Sequence, residues 1–274
     1  MNERNNLETH SNVFTNSASP FHGRLAQKAE AVLVIEPALI KQKLTQKRSS
    51  GSFYIRNVGD QEERYRATAV HFTVGEKGGL QVIPPDDHSL AKWIKFNPTE
   101  FVLPPKSSRM VRYSIIPQGK LKEREYWGAI QFMPLKGQKV TSKDKAGRDF
   151  SLEVMSIALV PIYGTVAGTK FSGQLTSVAA KQEKDKVAIT FLVKNTNEGV
   201  LRLSGVCQFV DDNGKMAKEV ALKRVVVFPQ TTRLTNLDFP EKLAAGKYTV
   251  RIILNNKEEK VSLTGETGFI YEQK

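Results

Sequence analysis

The sequence predicts an all-β chain of two sandwich domains in tandem, and three observations carry that prediction. From residue 31 onward apolar and polar residues alternate with period two, which puts successive side chains on opposite faces of a strand. Clusters of Gly, Pro, Asn and Asp interrupt the alternation at short intervals, as turns between strands do. No stretch shows a sustained helical period flanked by caps.

Residues 1–30 are rich in Asn, Ser, Thr and His, carry no net charge and lack an apolar stripe, so they read as a mobile tail. They also lack the apolar core of a signal peptide, which leaves a cytoplasmic chain or one whose leader is missing. In the stretch that follows, Phe53 and Ile55 alternate with Tyr54 and Arg56, and Val70, Phe72 and Val74 with His71 and Thr73. Val111, Tyr113 and Ile115 alternate with Arg112 and Ser114. Tyr126, Gly128, Ile130 and Phe132 alternate with Trp127, Ala129 and Gln131, so Tyr126 and Trp127 are expected to point to opposite faces. One long strand is expected over Phe150–Tyr163, and another over Phe171–Val178. Val187, Ile189, Phe191 and Val193 then alternate, as do Tyr248, Val250, Ile252 and Leu254. Turns fall at Asn57–Asp60, Lys77–Gly79, Pro84–Pro85, Pro104–Pro105, Asp211–Gly214 and Ala245–Gly246. A seam at Gly164–Gly168 divides the chain into sandwiches over 31–165 and 169–274, each near the roughly 100 residues of an immunoglobulin-like unit.

Composition narrows the function. A single cysteine, Cys207, excludes an intrachain disulfide framework and a Cys-cluster metal site, and four histidines leave little for zinc. Cys207 itself reads as a small buried hydrophobe. No apolar run reaches the ~18 residues of a membrane-spanning helix. Gly78-Gly79 lacks the Lys-Ser/Thr and helix of a phosphate loop, and no catalytic constellation is visible, so neither an enzyme nor a cofactor is expected. The formal charge is +13, spread as +8 over 31–165 and +5 over 166–274. Such a surface favours polyanionic partners, with Arg109, Arg112 and Arg124 as candidate contacts. Arg109 and Arg112, three apart on a strand, should face opposite sides. Glu123 and Glu125 beside Arg124 read as a loop salt-bridge cluster, and His71 as facing solvent or an intersheet edge.

Four segments of the first domain carry a family resemblance. They are Glu36-Pro-Ala-Leu-Ile40 with Phe53-Tyr-Ile-Arg-Asn57, Asn97 through Arg112, Glu123 through Pro134, and Ile157-Ala-Leu-Val-Pro-Ile-Tyr163. Their order and spacing over 31–165 resemble the N-terminal domain of the PapD-like family of periplasmic pilus chaperones. The resemblance implies a module that lends an edge strand to an incomplete sandwich subunit, with backbone hydrogen bonds for affinity and alternate apolar side chains for fit. It also implies an Arg and a Lys that capture the client's terminal carboxylate. Here the Arg position, aligned on Pro37, is Leu39, and the Lys position, aligned on Tyr163, is Val160.

The candidate partner-binding edge is the last strand of the first domain, with Leu152, Val154, Met155, Ile157 and Leu159. Its apolar phase breaks between Val154 and Met155, as at a β-bulge. The expectation is therefore a non-enzymatic, chaperone-like binding protein of the bacterial periplasm, whose partners are protein subunits of a surface or pilus assembly. The alternatives are a scaffold component of an envelope assembly and a basic polyanion- or nucleic-acid-binding protein.

Overall fold

In the computed structural model, residues 33–143, 147–183, 186–239 and 243–272 are described. The expected tail at 1–30 lies outside them. Two compact units are present. One runs up to Phe72 and adds Ile83–Leu121 and Tyr126–Thr165; the other comprises Thr73–Val82, Lys122–Glu125 and the chain from Val166 onward.

The strands in chain order are β1 (Leu33–Glu36), β2 (Ile40–Lys43), β3 (Ser49–Asn57), β4 (Glu63–Val74), β5 (Leu80–Ile83), β6 (Ile94–Asn97) and β7 (Glu100–Leu103). There follow β8 (Ser108–Ile115), β9 (Glu125–Pro134), β10 (Gln138–Lys143), β11 (Asp149–Val154) and β12 (Ala158–Thr165). The last group is β13 (Gly173–Glu183), β14 (Lys186–Asn195), β15 (Leu201–Asp211), β16 (Met216–Val227), β17 (Thr232–Phe239), β18 (Gly246–Asn256) and β19 (Val261–Tyr271).

In the first unit one sheet has the order β1-β3-β8-β6 and the other β2-β12-β9-β4, with β7 also on β4. The chain changes sheet between β1 and β2, where the Glu36–Pro37 bond is cis. β1 pairs antiparallel with β3, whereas β2 pairs in parallel with β12. The inner faces meet through aromatics: Phe53 of β3 and Phe132 of β9 lie edge to face at 5.9 Å. Each such side chain, fully buried, contributes roughly 1.5–3 kcal/mol relative to exposure. The expected alternation holds on β3, where Phe53 and Ile55 are buried and Tyr54 and Arg56 exposed.

On β9 the alternation fails, because neighbours on both sides and packing on both faces leave Tyr126 and Trp127 both buried. His71 corrects the sequence reading too. It is buried, its ring stacked 5.1 Å from that of Trp127, its Nδ1 3.2 Å from the Trp127 carbonyl and its Nε2 3.0 Å from Asp86 Oδ1. The Trp127 carbonyl is a hydrogen-bond partner for Nδ1, while Nε2 lies at ion-pair distance from Asp86 without a hydrogen bond among the described residues.

The second unit packs β13-β14-β17 against β16-β15-β18-β19. Val187, Ile189, Phe191 and Val193 of β14 face Phe209, Val250, Ile252 and Leu254 in one core. The turn into β16 closes on Asp211, whose Oδ1 accepts hydrogen bonds from the amides of Asn213 and Lys215. Cys207 is fully buried, and burial pushes its thiol up to about 12. A maleimide added to the native protein should leave it unlabelled, with one equivalent taken up only in denaturant. Rapid native labelling would contradict this core.

One device recurs in both units. Phe53-Tyr-Ile-Arg-Asn57 ends β3, and Phe191-Leu-Val-Lys-Asn195 ends β14. Both asparagines are fully buried. The Asn57 amide donates to the carbonyls of Gln61 (2.7 Å) and Leu103 (3.0 Å), while its Oδ1 accepts from the Gly59 amide (2.9 Å). The Asn195 amide donates to Gly199 (2.8 Å) and Val227 (3.0 Å), and its Oδ1 accepts from the Asn197 amide (3.0 Å). Each side chain thus satisfies three backbone groups at the end of a core strand, where the ladder no longer does.

Candidate functional site

The expected continuous strand over Phe150–Tyr163 is two strands, β11 and β12, with Met155, Ser156 and Ile157 outside both. The break falls where the apolar phase reverses. A single strand cannot present Val154 and Met155 to one face, so the ladder is interrupted there.

β11 forms an antiparallel hairpin with β10. Its register runs from Gln138↔Val154 through Val140↔Leu152 to Lys143↔Asp149. Among the described residues β10 is the only strand paired with β11, so the opposite edge of β11 has no partner strand among them. At the foot of the hairpin the Gly137 amide donates to Glu153 Oε1 at 3.0 Å.

The predicted edge residues divide accordingly. Leu152 lies in β11 opposite Val140. Val154, Met155 and Ile157 form an exposed apolar run, at 38%, 47% and 40% exposure. Leu159 is half-buried in β12. Beyond it the pairing of β12 with β2 begins at Ile162↔Ile40, which leaves Ala158–Pro161 without a β2 partner. Leu39 immediately precedes that pairing and Val160 lies two residues before it, so the register brings the two positions close together. Val160 is fully buried and Leu39 half-buried, and neither offers a charge for a carboxylate. The arrangement can therefore bind an extended chain through backbone groups and apolar contacts.

The three arginines separate. Arg109 and Arg112 are exposed on β8 and line one shallow depression of about 330 Å³ with Asn97, Pro98 and Met110. Period two sets them in opposite phases of β8: Arg109 pairs with buried Ile55 and Arg112 with exposed Ser52. Arg109 is near the start of β8, where its long side chain reaches over the Phe101 ring at 5.6 Å and still borders the depression. Arg124 belongs to the second unit and is paired with Glu198 at 3.2 Å. Beside it in that unit Glu125 is buried, accepting from Arg202 Nη2 at 3.0 Å and from the Val200 amide at 2.8 Å. These partners lie more than 70 residues away in sequence, which a local pattern cannot reveal.

Among the described residues no group of His, Cys, Asp and Glu could hold a metal ion, and no helix is long and apolar enough to cross a membrane.

No family model matches the chain, and no curated protein matches it. Solved structures similar to it include the YadV chaperone, 11% identical with a TM-score of 0.45, covering 87% of this chain and 100% of that one. Another is the CsuC–CsuE chaperone–tip adhesion subunit pre-assembly complex from the archaic chaperone-usher Csu pili of Acinetobacter baumannii. There the identity is 13% and the TM-score 0.45, over 86% of this chain and 98% of that one. A third is the Salmonella enterica SafA pilin in complex with the SafB chaperone, at 11% identity and a TM-score of 0.39, over 90% of this chain and 99% of that one. Identities this low carry no site residue of theirs onto this chain.

Proposed function

We propose that this chain is a non-enzymatic, chaperone-like binding protein of the bacterial periplasm that holds β-strand segments of surface- or pilus-assembly subunits. The observation that carries this reading is the edge of β11 that no strand among the described residues pairs, continuing into exposed Val154, Met155 and Ile157. An open edge beside exposed apolar side chains is an aggregation hazard unless a partner covers it. A partner strand laid along β11 would satisfy its backbone groups and place alternate side chains on the apolar run. With Leu39 and Val160 at the positions of the carboxylate-capturing cations, affinity would come from strand pairing and apolar burial, and not from an end-group ion pair.

The pair Val154→Lys and Ile157→Lys tests this. Both residues are exposed, so the far-ultraviolet circular dichroism and melting midpoint should stay within the range of a surface change. Capture of subunits from solubilised native envelope should fall at least about tenfold, the equivalent of about 1.4 kcal/mol. Undiminished capture by the folded double variant would remove the edge as the binding element.

A further inference from the structure

The outer face of the sheet β1-β3-β8-β6 carries cations that no acid among the described residues pairs with. Its register lines up Asn97, Arg112 and Ser52 in one row across β6, β8 and β3, and Lys95, Ser114 and Ser50 in the next. A third row holds Met110, Tyr54 and, on β1, the exposed Glu36, at the far side of the sheet from Lys95. Period-two geometry puts all of these on one face. Over it lies a depression of about 530 Å³, lined by Arg48, Ser50, Ser52, Lys95, Asn97 and Arg112 among others; it shares Asn97 and Arg112 with the depression beside Arg109. Among the described residues no carboxylate lines either depression.

Some exposed cations of this unit have acids, while others, such as Lys43, Arg56 and Lys92, have none among the described residues. Arg64 and Arg66 share Glu100, and Lys106 holds Asp60 at 2.8 Å. Among the described residues Arg48, Lys95 and Arg112 make no ion pair. Like charges gathered on one face repel, and a bound anion relieves that repulsion.

We infer that this face is a binding site for an acidic polysaccharide. The cations suit carboxylate, sulfate or phosphate substituents, with the Arg112 fork able to hold two oxygens at once. Between the cations stand uncharged hydrogen-bonding groups, the Asn97 amide and the Ser50 and Ser52 hydroxyls, which match sugar hydroxyls. In the adjoining row Tyr54, 50% exposed, offers a ring on which a sugar can lie. A single-stranded nucleic acid is served by several aromatics for successive bases, and Tyr54 is the only large exposed aromatic among the described residues. The site stands on a different sheet from the β10–β11 hairpin and does not depend on strand capture.

Heparin, as a sulfated polysaccharide, is the probe, titrated against the full chain at several salt concentrations. Lys95→Gln with Arg112→Gln should weaken binding at least about tenfold and lower the slope of log affinity against log salt by about two, one for each lost cation. Lys247→Gln with Lys257→Gln removes the same charge from exposed positions of the second unit and should leave the affinity within about twofold of the wild type. Dextran, which carries no charge, should not bind, and single-stranded DNA should compete at least about tenfold less well than heparin. Absence of heparin binding, equal weakening by the two pairs of substitutions, or equal competition by DNA would each overturn the inference.

Discussion

Asn195→Asp is expected to cost the second unit about 3–5 kcal/mol, the range for an uncompensated charge in a protein interior. The substitution keeps shape and volume and changes only what the side chain can donate. The Asn195 amide gives hydrogen bonds to two carbonyl oxygens, Gly199 at 2.8 Å and Val227 at 3.0 Å. A carboxylate would set a charged oxygen against those same acceptors at a fully buried position. Asn195→Ala leaves the same groups unsatisfied without burying a charge, and should cost less, about 1–3 kcal/mol. The two variants separate with pH. The new carboxyl has a folded-state pKa raised above its unfolded value of about 3.9, so the folded state binds the extra proton. Its penalty is therefore full at neutral pH and shrinks as pH falls toward and below that value, while the alanine penalty does not follow the titration. Denaturant midpoints by circular dichroism at pH 7 and pH 4 would show it. Equal losses for both variants at both pH values would contradict the role given to the amide. Asn57→Asp should behave in the same way in the first unit, where both tryptophans, Trp93 and Trp127, lie.

Gly205→Ala is the second large effect. Gly205 lies in β15, between β16 and β18, where the register with β16 shifts between Leu203 and Gly205. A Cβ placed there would stand 1.8 Å from the Ile253 carbonyl oxygen and 2.9 Å from the Leu254 Cα. Both are backbone atoms of the paired strand β18, so no side-chain rotation makes room, and the ladder between β15 and β18 must open. The loss should reach or exceed the upper end of the roughly 1–3 kcal/mol of ordinary overpacking. Gly268→Ala in β19 is the control. Nothing lies within 4 Å of its Cβ position, and removing a glycine from a strand interior should be neutral or stabilising by up to about 1 kcal/mol. Similar losses at both positions would show that close approach at Gly205 is not what the fold requires.

The sheet faces were legible wherever a strand has one side in the core. Val187–Val193 and Tyr248–Leu254 show their inward residues by alternation alone, and the structure buries those residues. The pattern fails on β9, because a strand buried on both faces has no polar phase to reveal its orientation. His71 misled for a related reason, since its partners Trp127 and Asp86 are set by tertiary packing. The repeated Phe-x-(Ile/Val)-(Arg/Lys)-Asn ending of β3 and β14 was present in the sequence, and a polar residue closing an apolar strand in both domains is the signal that could have found it. At the candidate edge the reversal of apolar phase after Val154 was legible, but it marks a break between strands where a bulge was expected. The basic face was half legible. Lys95/Asn97, Arg112/Ser114 and Ser50/Ser52 each show the period, but only the strand register brings them to one surface.

The central claim is that a partner strand pairs along the open edge of β11. The most direct measurement puts a photo-crosslinking amino acid at Met155, exposed beside that edge, in the full chain expressed in its native host. Crosslinked species are then identified by mass spectrometry, with the same probe at Lys247 of the second unit as the reference position. Capture of a β-rich assembly subunit from position 155 and not from position 247, with the crosslink in an extended segment of that subunit, is the predicted result. Crosslinks that are the same from both positions, or that reach no β-rich subunit from position 155, would contradict it.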